Sequence, residues 1–418
     1  MSRGQAGKYL RFENISVNDG LSQSTGRVVI QDRKGFIWIG TQDGLNKFDG
    51  RSFMVYNNDP LDTNSMSDNF IQDITEDEDG ILWIGYNTGG MDRFDPDNEI
   101  FTHYKNRPGD TTSISSNNVN HIYIDHAGTM WVGTTNGVNI FISETGVFQR
   151  INFSGTDNST PFTNCFYEDR QNRFWIGTAG SGLVEYNRAS GRIVNQYQND
   201  PSANSLSSNA ISSVLEDSYG EFWVATANMG LNRLDRETGH VDVFVSDPDD
   251  PGSISDNYLF KLLETAYGDN ILWIGTQNGG INRFNRDSET FTSYQNDPND
   301  PFSISNNIVF SITASTDGTM WIGSGGGGIN KFSLRKPKFQ HYKYPGNVLG
   351  NFVWEIFDDR QGRVWIGSQG FGLFTFDRQS HEFNHYLFDP IDPESSRTYN
   401  VMSVVKSEET EPCGSPPP

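Results

Sequence analysis

Four glycines in a row, Gly325 to Gly328, follow the apolar run MWIGS at 320–324. A glycine loop after a strand can cradle a phosphate when a helix starts directly behind it and aims its N-terminus at the anion. Here the chain continues INKF, which alternates as a strand does, and no helical period follows. The glycines read as turn residues. A second set suits acid–base chemistry: Asp73, His121, Lys261 and Glu355, each in a short apolar segment. Near one axis they would supply a base, an imidazole and a cation. They would equally make a hydrogen-bonded polar belt with no chemistry at all. A third set suits a polyhydroxylated ligand. Gln42, Asp43, Asn87, Asn136, Asn228, Gln277 and Asn278 lie one to five residues behind apolar strands, with Tyr86 as a ring on which a sugar could stack. No serine elbow, nucleophilic cysteine motif or calcium loop of spaced carboxylates accompanies them. The expectation is a binding face with no catalytic residue, no metal and no cofactor.

A repeat must position these residues. The phrase GFIWIGTQDGLNKFD at Gly35 returns as GILWIGYNTGGMDRFD at Gly80, GTMWVGTTNGVNIF at Gly128 and NRFWIGTAGSGLVEYN at Asn172. It recurs as GEFWVATANMGLNRLD at Gly220, NILWIGTQNGGINRFN at Asn270, GTMWIGSGGGGINKF at Gly318 and GRVWIGSQGFGLFTFD at Gly362. The tryptophans Trp38, Trp83, Trp131, Trp175, Trp223, Trp273, Trp321 and Trp365 are spaced 44 to 50 residues apart. That period, built from short strands, predicts an all-β fold, a β-propeller with one four-stranded blade per repeat.

In the second unit NFIQDITED is the inner strand and DEDG a tight turn, followed by the strands ILWIGY, MDRFD and IFTHY. Strand alternation puts Trp83 and Gly85 on one face, an indole beside a missing side chain, which predicts an interlock between neighbouring blades. Up-and-down connectivity gathers the turns after WIG and the long NDPxDPxSISNN linkers on one face. The Asp-rich turns fall on the other. The polar third set therefore converges on the linker face, around the mouth of a central channel, where loops held by a rigid scaffold usually carry function.

The linker before the eighth unit is short, KYPGNVLGN at 343–351, and YLRFEN at 9–14 reads as an outer strand without its first three. The expected organisation is a disordered 1–8, a propeller over 9–342 with seven WIG-type repeats closed by the N-terminal strand, and a disordered tail over 406–418. Residues 343–405 are then an eighth repeat and the start of a ninth, the opening of a second ring. A single eight-bladed ring is the alternative. Among the histidines, His103, His341 and His385 fall in outer strands, and His126, His240 and His381 in turns opposite the linkers. Only His121 can approach the channel.

Acidic residues number 53 against 31 basic ones, a net charge of −22. Such a surface repels nucleic-acid phosphates and anionic membranes. Two cysteines, Cys165 and Cys413, cannot build a disulfide or zinc framework. No apolar run approaches the roughly 18 residues that span a bilayer, and the start MSRGQAGKYLRF has no apolar signal-peptide core.

The phrase WIGTxxGLNRFD, opening with DGLS and QDRKGFIWIGTQDGLNKFDG, resembles the two-component regulator propeller family over roughly residues 9 to 405. The resemblance implies the extracytoplasmic, periplasmic sensor region of a bacterial hybrid histidine kinase or diguanylate cyclase. It also implies an oligosaccharide or other polar small-molecule ligand, homodimerisation in a full-length sensor, and no membrane contact from this segment. A β-sandwich, a transmembrane helix and an output domain normally follow; no kinase, receiver or cyclase segment is present in this sequence. Two rival readings stay open. Propeller lyases place histidines and a metal at the ring centre, and other propellers serve as protein-interaction scaffolds.

Overall fold

The computed structural model describes residues 10–151, 162–201, 204–265, 270–334, 353–369, 372–378, 380, 382–386 and 401. The chain divides into two compact units, Met1–Lys336 and Pro337–Pro418. Each blade starts at its inner strand because the sequence does. In the second blade Ile71–Glu76 pairs with Leu82–Tyr86, then Met91–Asp95, then Ile100–Tyr104, all antiparallel. The same four-strand order recurs in seven sheets of the first unit, and their inner strands touch in a closed cycle. In the second unit one sheet is described, in the order Val353–Asp358, Arg363–Ser368, Gly372–Asp377, Phe383–Tyr386. The one helical element among the described residues is a 3-10 turn at Val17–Asp19.

The seventh sheet is composite. Its outer strand is Glu13–Ile15 from the N-terminal end, with Glu13 opposite Lys331 and Ile15 opposite Ile329. The pairing falls on ENI rather than across the whole of YLRFEN. Phe12 contributes apolar packing instead, buried against Phe332 and Tyr294 with ring centroids 5.2 and 6.1 Å away. On the inner side Thr313 Oγ1 donates to Val29 O at 2.5 Å, joining the seventh blade to the first.

The WIG phrase is a packing device. All seven indoles of the first unit are buried, and Trp38 packs with Leu82, Ile84 and Phe94 of the following blade. The glycine two residues on meets the next inner strand: a Cβ at Gly40 would stand 2.5 Å from Ile71 Cγ2, and one at Gly85 2.8 Å from Val119 Cγ1. Blades pack this closely because the side chain there is absent, or in the fifth repeat no larger than that of Ala225.

The Asp-rich turns have a second role that turn chemistry alone does not reveal. Asp77 accepts the N–H of Ile81 on Oδ1, closing the turn, and the Trp83 indole N–H on Oδ2 at 2.7 Å. The same aspartate-to-indole bond joins Asp32 to Trp38, Asp125 to Trp131, Asp169 to Trp175 and Asp217 to Trp223. Ser315 substitutes for it at Trp321. On this face arginines also bridge blades. Arg236 pairs with Asp169 of the preceding blade and Glu216 of its own, both at 2.7 Å. Arg188 pairs likewise with Asp125 and Glu168, and Arg286 with Asp217 and Glu264. This face is committed to structure.

Candidate functional site

The linker face is held by brackets. Ser115 N–H donates to Asn139 Oδ1, and Asn139 Nδ2 donates back to Ser115 Oγ. The pattern repeats at Ser22 with Asn46, Ser207 with Asn232, Ser255 with Asn282 and Ser305 with Asn330. In the second blade the partner of Ser67 is Asp92, a buried carboxylate that also takes the Tyr86 hydroxyl and the His103 Nδ1 proton. That pairing raises the His103 pKa above its usual value: the bond to Asp92 outweighs the opposing effect of burial. The linkers therefore enter the inner strands at a fixed height, and the strand starts form a rim.

At that rim every inner strand of the first unit carries a β-bulge. Pairing jumps from Gly26 to Val28, from Ile71 to Asp73, from Val119 to His121 and from Thr163 to Cys165. It jumps again from Ile211 to Ser213, from Leu259 to Lys261 and from Val309 to Ser311. Bulges re-aim the skipped residue. Here the skipped residues are Arg27, Gln72, Asn120, Asn164, Ser212, Phe260 and Phe310, and all seven line one cavity of about 780 Å3 at the channel.

The ring they make is two-sided. One arc is polar and already joined: Arg27 Nη2 donates to Gln72 Oε1 at 2.7 Å, and Gln72 Nε2 to Asn87 Oδ1 at 3.2 Å. Asn120 and Asn164 each donate to the next blade's backbone, at Thr163 O and Ile211 O. The other arc is aromatic. Tyr258 and Phe260 lie 5.0 Å apart, Phe260 and Phe310 4.9 Å apart, and the Arg27 guanidinium sits 4.4 Å from the Phe310 centroid. Tyr258 and Phe162 are exposed and also line the cavity. Amide groups beside open ring faces are what a polyhydroxylated ring requires. Three buried polar atoms at the rim and just below it, Arg27 Nε, Ser212 Oγ and Ser311 Oγ, have no hydrogen-bond partner among the described residues.

The residues singled out from sequence divide unevenly. Gln42, Asn136, Asn228 and Asn278 are exposed on the linker-face turns, and Gln277 is half-buried there. Asp43 accepts from Asn69 Nδ2 at 3.1 Å, and Asn136 Nδ2 donates to Ser115 O, so both also brace their loops. Asn87 alone joins the channel ring directly, accepting from Gln72 and from Asn118 Nδ2. Tyr86 does not offer a stacking face. It is fully buried, with its hydroxyl on Asp92, because it occupies the position that Thr41, Thr134, Thr178, Thr226 and Thr276 fill in other blades. The neighbouring rings that do line the cavity on that arc are Tyr258, Phe260 and Phe310.

The layer below the ring holds Asp73, His121 and Lys261, and it serves backbone pairing. Inner strands of neighbouring blades do not share a ladder, so side chains supply acceptors. Asp73 Oδ2 takes Ile122 N–H at 2.8 Å, His121 Nδ1 takes Phe166 N–H at 3.3 Å, and Ser213 Oγ takes Leu262 N–H at 3.2 Å. Burial pushes the Asp73 carboxyl up to about 6, the Ile122 and Ile74 N–H groups and Lys261 opposing. Burial, with Lys261 nearby, pushes His121 down to about 3 and the Cys165 thiol up to about 12 against the pull of Lys261. Among the described residues no ion pair joins Asp73 to Lys261, and no cluster of three or more His, Cys, Asp or Glu could hold a metal ion. Glu355 lies in the second unit.

Bladed sheets around a polar and aromatic channel mouth define a β-propeller with a ligand-sized cavity. The repeat itself is identifiable. The family described as "Two component regulator propeller" matches five segments of the chain, residues 65–88, 113–136, 156–180, 205–228 and 347–370. Over 56 residues it is 50% identical to "Histidine kinase P4" of Formosa agariphila, a segment that is 13% of this chain and 4% of that protein. Among solved structures it is similar to the extracellular domain of a protein described as a hybrid two component system from B. thetaiotaomicron. That likeness has a TM-score of 0.69 and 24% identity, covering 91% of this chain and 50% of the other. It is also similar in fold to PorZ, a surface component of the type-IX secretion system of Porphyromonas gingivalis, with a TM-score of 0.59 and 13% identity over 88% of this chain and 59% of PorZ. The chain thus spans half the length of the first of these structures and a small part of the curated kinase. No helix among the described residues is long and apolar enough to cross a membrane.

Proposed function

We propose that the chain is a ligand-sensing propeller of a bacterial two-component-type signalling protein, working outside the cytoplasm, and that it binds an oligosaccharide or similar polar small molecule at the linker-face channel mouth. The observation that carries the reading is the bulge ring, in which seven successive strands give up pairing at one level to aim side chains into one cavity. Its amide arc and its aromatic arc match hydroxyls and a pyranose face respectively. The similarity of the repeats to those of two-component regulators, and of the fold to the extracellular domain of a protein described as a hybrid two component system, supports the sensing role and the compartment. Asp73 and His121 spend their acceptor atoms on backbone N–H groups, which favours binding over lyase chemistry. The test is a thermal-shift and glycan-array screen of the protein beside Gln72→Ala and Phe260→Ala. A hit should weaken with both substitutions while Asp79→Ala on the opposite face leaves it intact. Weakening by Asp79→Ala alone would place the ligand on the wrong face for this reading.

A further inference from the structure

Arg27 is the one arginine among the residues lining the channel, and its surroundings leave it short of a counter-charge. Its Nη2 donates to a neutral amide, Gln72 Oε1. Its guanidinium lies over Phe310 at 4.4 Å and near Phe70 at 5.9 Å. Its Nε is buried with no acceptor among the described residues. Arginines elsewhere in this ring behave differently: Arg188, Arg236 and Arg286 each hold two carboxylates. Burial lowers the Arg27 pKa from its usual value, as expected of a cation that is desolvated and poorly countered.

Lys261 lines the same cavity one layer down. The carboxylate of that layer, Asp73, is occupied by Ile122 N–H. Glu76 also lines the cavity, but at the far end of its strand, where it takes the N–H of Arg33. Two cations, Arg27 and Lys261, therefore share this end of the channel with one carboxylate, Asp73, which lies in the Lys261 layer and makes no ion pair with Arg27 among the described residues, in a chain whose net charge is −22. A half-desolvated guanidinium stacked on an aromatic ring is well suited to a planar or tetrahedral oxyanion, since its remaining N–H donors are fixed in a fork.

Resting on the saccharide-binding reading above, we propose that the ligand is an anionic saccharide whose carboxylate or sulfate docks on Arg27 while a sugar face lies against Phe260 and Phe310. Excluding water around Phe310 strengthens the contact with the oxyanion, and Gln72 holds the guanidinium in place for it. Neutral saccharides would leave a buried cation without a partner.

Calorimetric titration of the intact protein with three probes tests this: trigalacturonate, its fully methyl-esterified form, and a sulfated galactose oligosaccharide. At least one acidic probe should bind the wild type, and the uronate and sulfate arms show which oxyanion is taken. The methyl ester should bind about tenfold more weakly or worse, the usual cost of losing a charge-assisted bond. Arg27→Gln should erase that difference at an unchanged melting temperature, and Arg27→Lys should restore part of it. Equal binding of acid and ester, no effect of Arg27→Gln, or failure of both acidic probes to bind would each overturn the proposal. If a neutral saccharide still weakens with Phe260→Ala and Gln72→Ala, the saccharide reading survives and only the anion assignment falls. If neither substitution matters, both fall.

Discussion

Asp73→Asn should stabilise the protein at neutral pH and do nothing for it in acid. The Asp73 carboxyl is pushed from an ordinary 3.8 to about 6, chiefly by burial. Its folded pKa therefore lies above its unfolded one. The proton is bound more tightly in the native state, so this group's stabilising contribution is complete below about 3.8 and is lost as pH rises through about 6. The gap of 6 − 3.8 corresponds to roughly 3 kcal/mol at most. Asparagine keeps an oxygen for Ile122 N–H and carries no charge. The variant should gain up to about 3 kcal/mol over the wild type at pH 7.5, and the gain should vanish by pH 4. Urea unfolding at four pH values across that window, with m-values checked for constancy, measures the difference. A difference that does not change with pH would refute the claim that Asp73 is a desolvated carboxylate, and would reopen a charged acid–base centre.

His121 should give the opposite slope. Its pKa falls to about 3, so its contribution is intact above its ordinary 6.5 and is lost on acidification; His121→Gln should therefore gain on the wild type at pH 4.5 and match it at pH 7.5 by the same assay. Arg236→Ala should cost about 3 kcal/mol by denaturant unfolding, because Glu216 is left as a buried charge without a cation while Asp169 keeps Arg173. Lys34→Ala, at an exposed pair with Asp97, should leave the melting temperature where it is. Phe12→Ala should cost about 3–5 kcal/mol by opening a hole between Phe332 and Tyr294. A loss within error would mean that the N-terminal strand does not hold the seventh sheet.

Much of the architecture was legible because packing forces the same residues into every blade. The WIG phrase repeats since the position two residues after the indole abuts the next inner strand and takes only glycine or, at Ala225, alanine, and the strand order follows from where glycines and aspartates punctuate it. The indole staple was missed, although its signal was present: an acceptor stands six residues before Trp38, Trp83, Trp131, Trp175, Trp223 and Trp321. Tyr86 was misread as a stacking ring; it fills the buried position of Thr41, Thr134, Thr178, Thr226 and Thr276, and those threonines were the signal that it lies in the core. The channel ring escaped attention because no single residue type runs through it. Arg27, Gln72, Asn120, Asn164, Ser212, Phe260 and Phe310 share a position but span five residue types. Core positions are held constant by close packing against the neighbouring blade, whereas a residue expelled by a bulge faces the channel and is free to vary in type. Its variability across repeats was the available signal, and a bulge cannot be read from alternation that continues on both sides of it.

The central claim is that ligand binds at the linker-face mouth of the channel, on the bulge residues. Hydrogen exchange with and without a saccharide found by the screen tests it most directly. Protection should appear in the segments around Arg27, Gln72, Phe260 and Phe310 and in the linker ends that precede them. Protection confined to the Asp-rich turns around Asp32, Asp77 and Asp169, on the opposite face, would contradict the account.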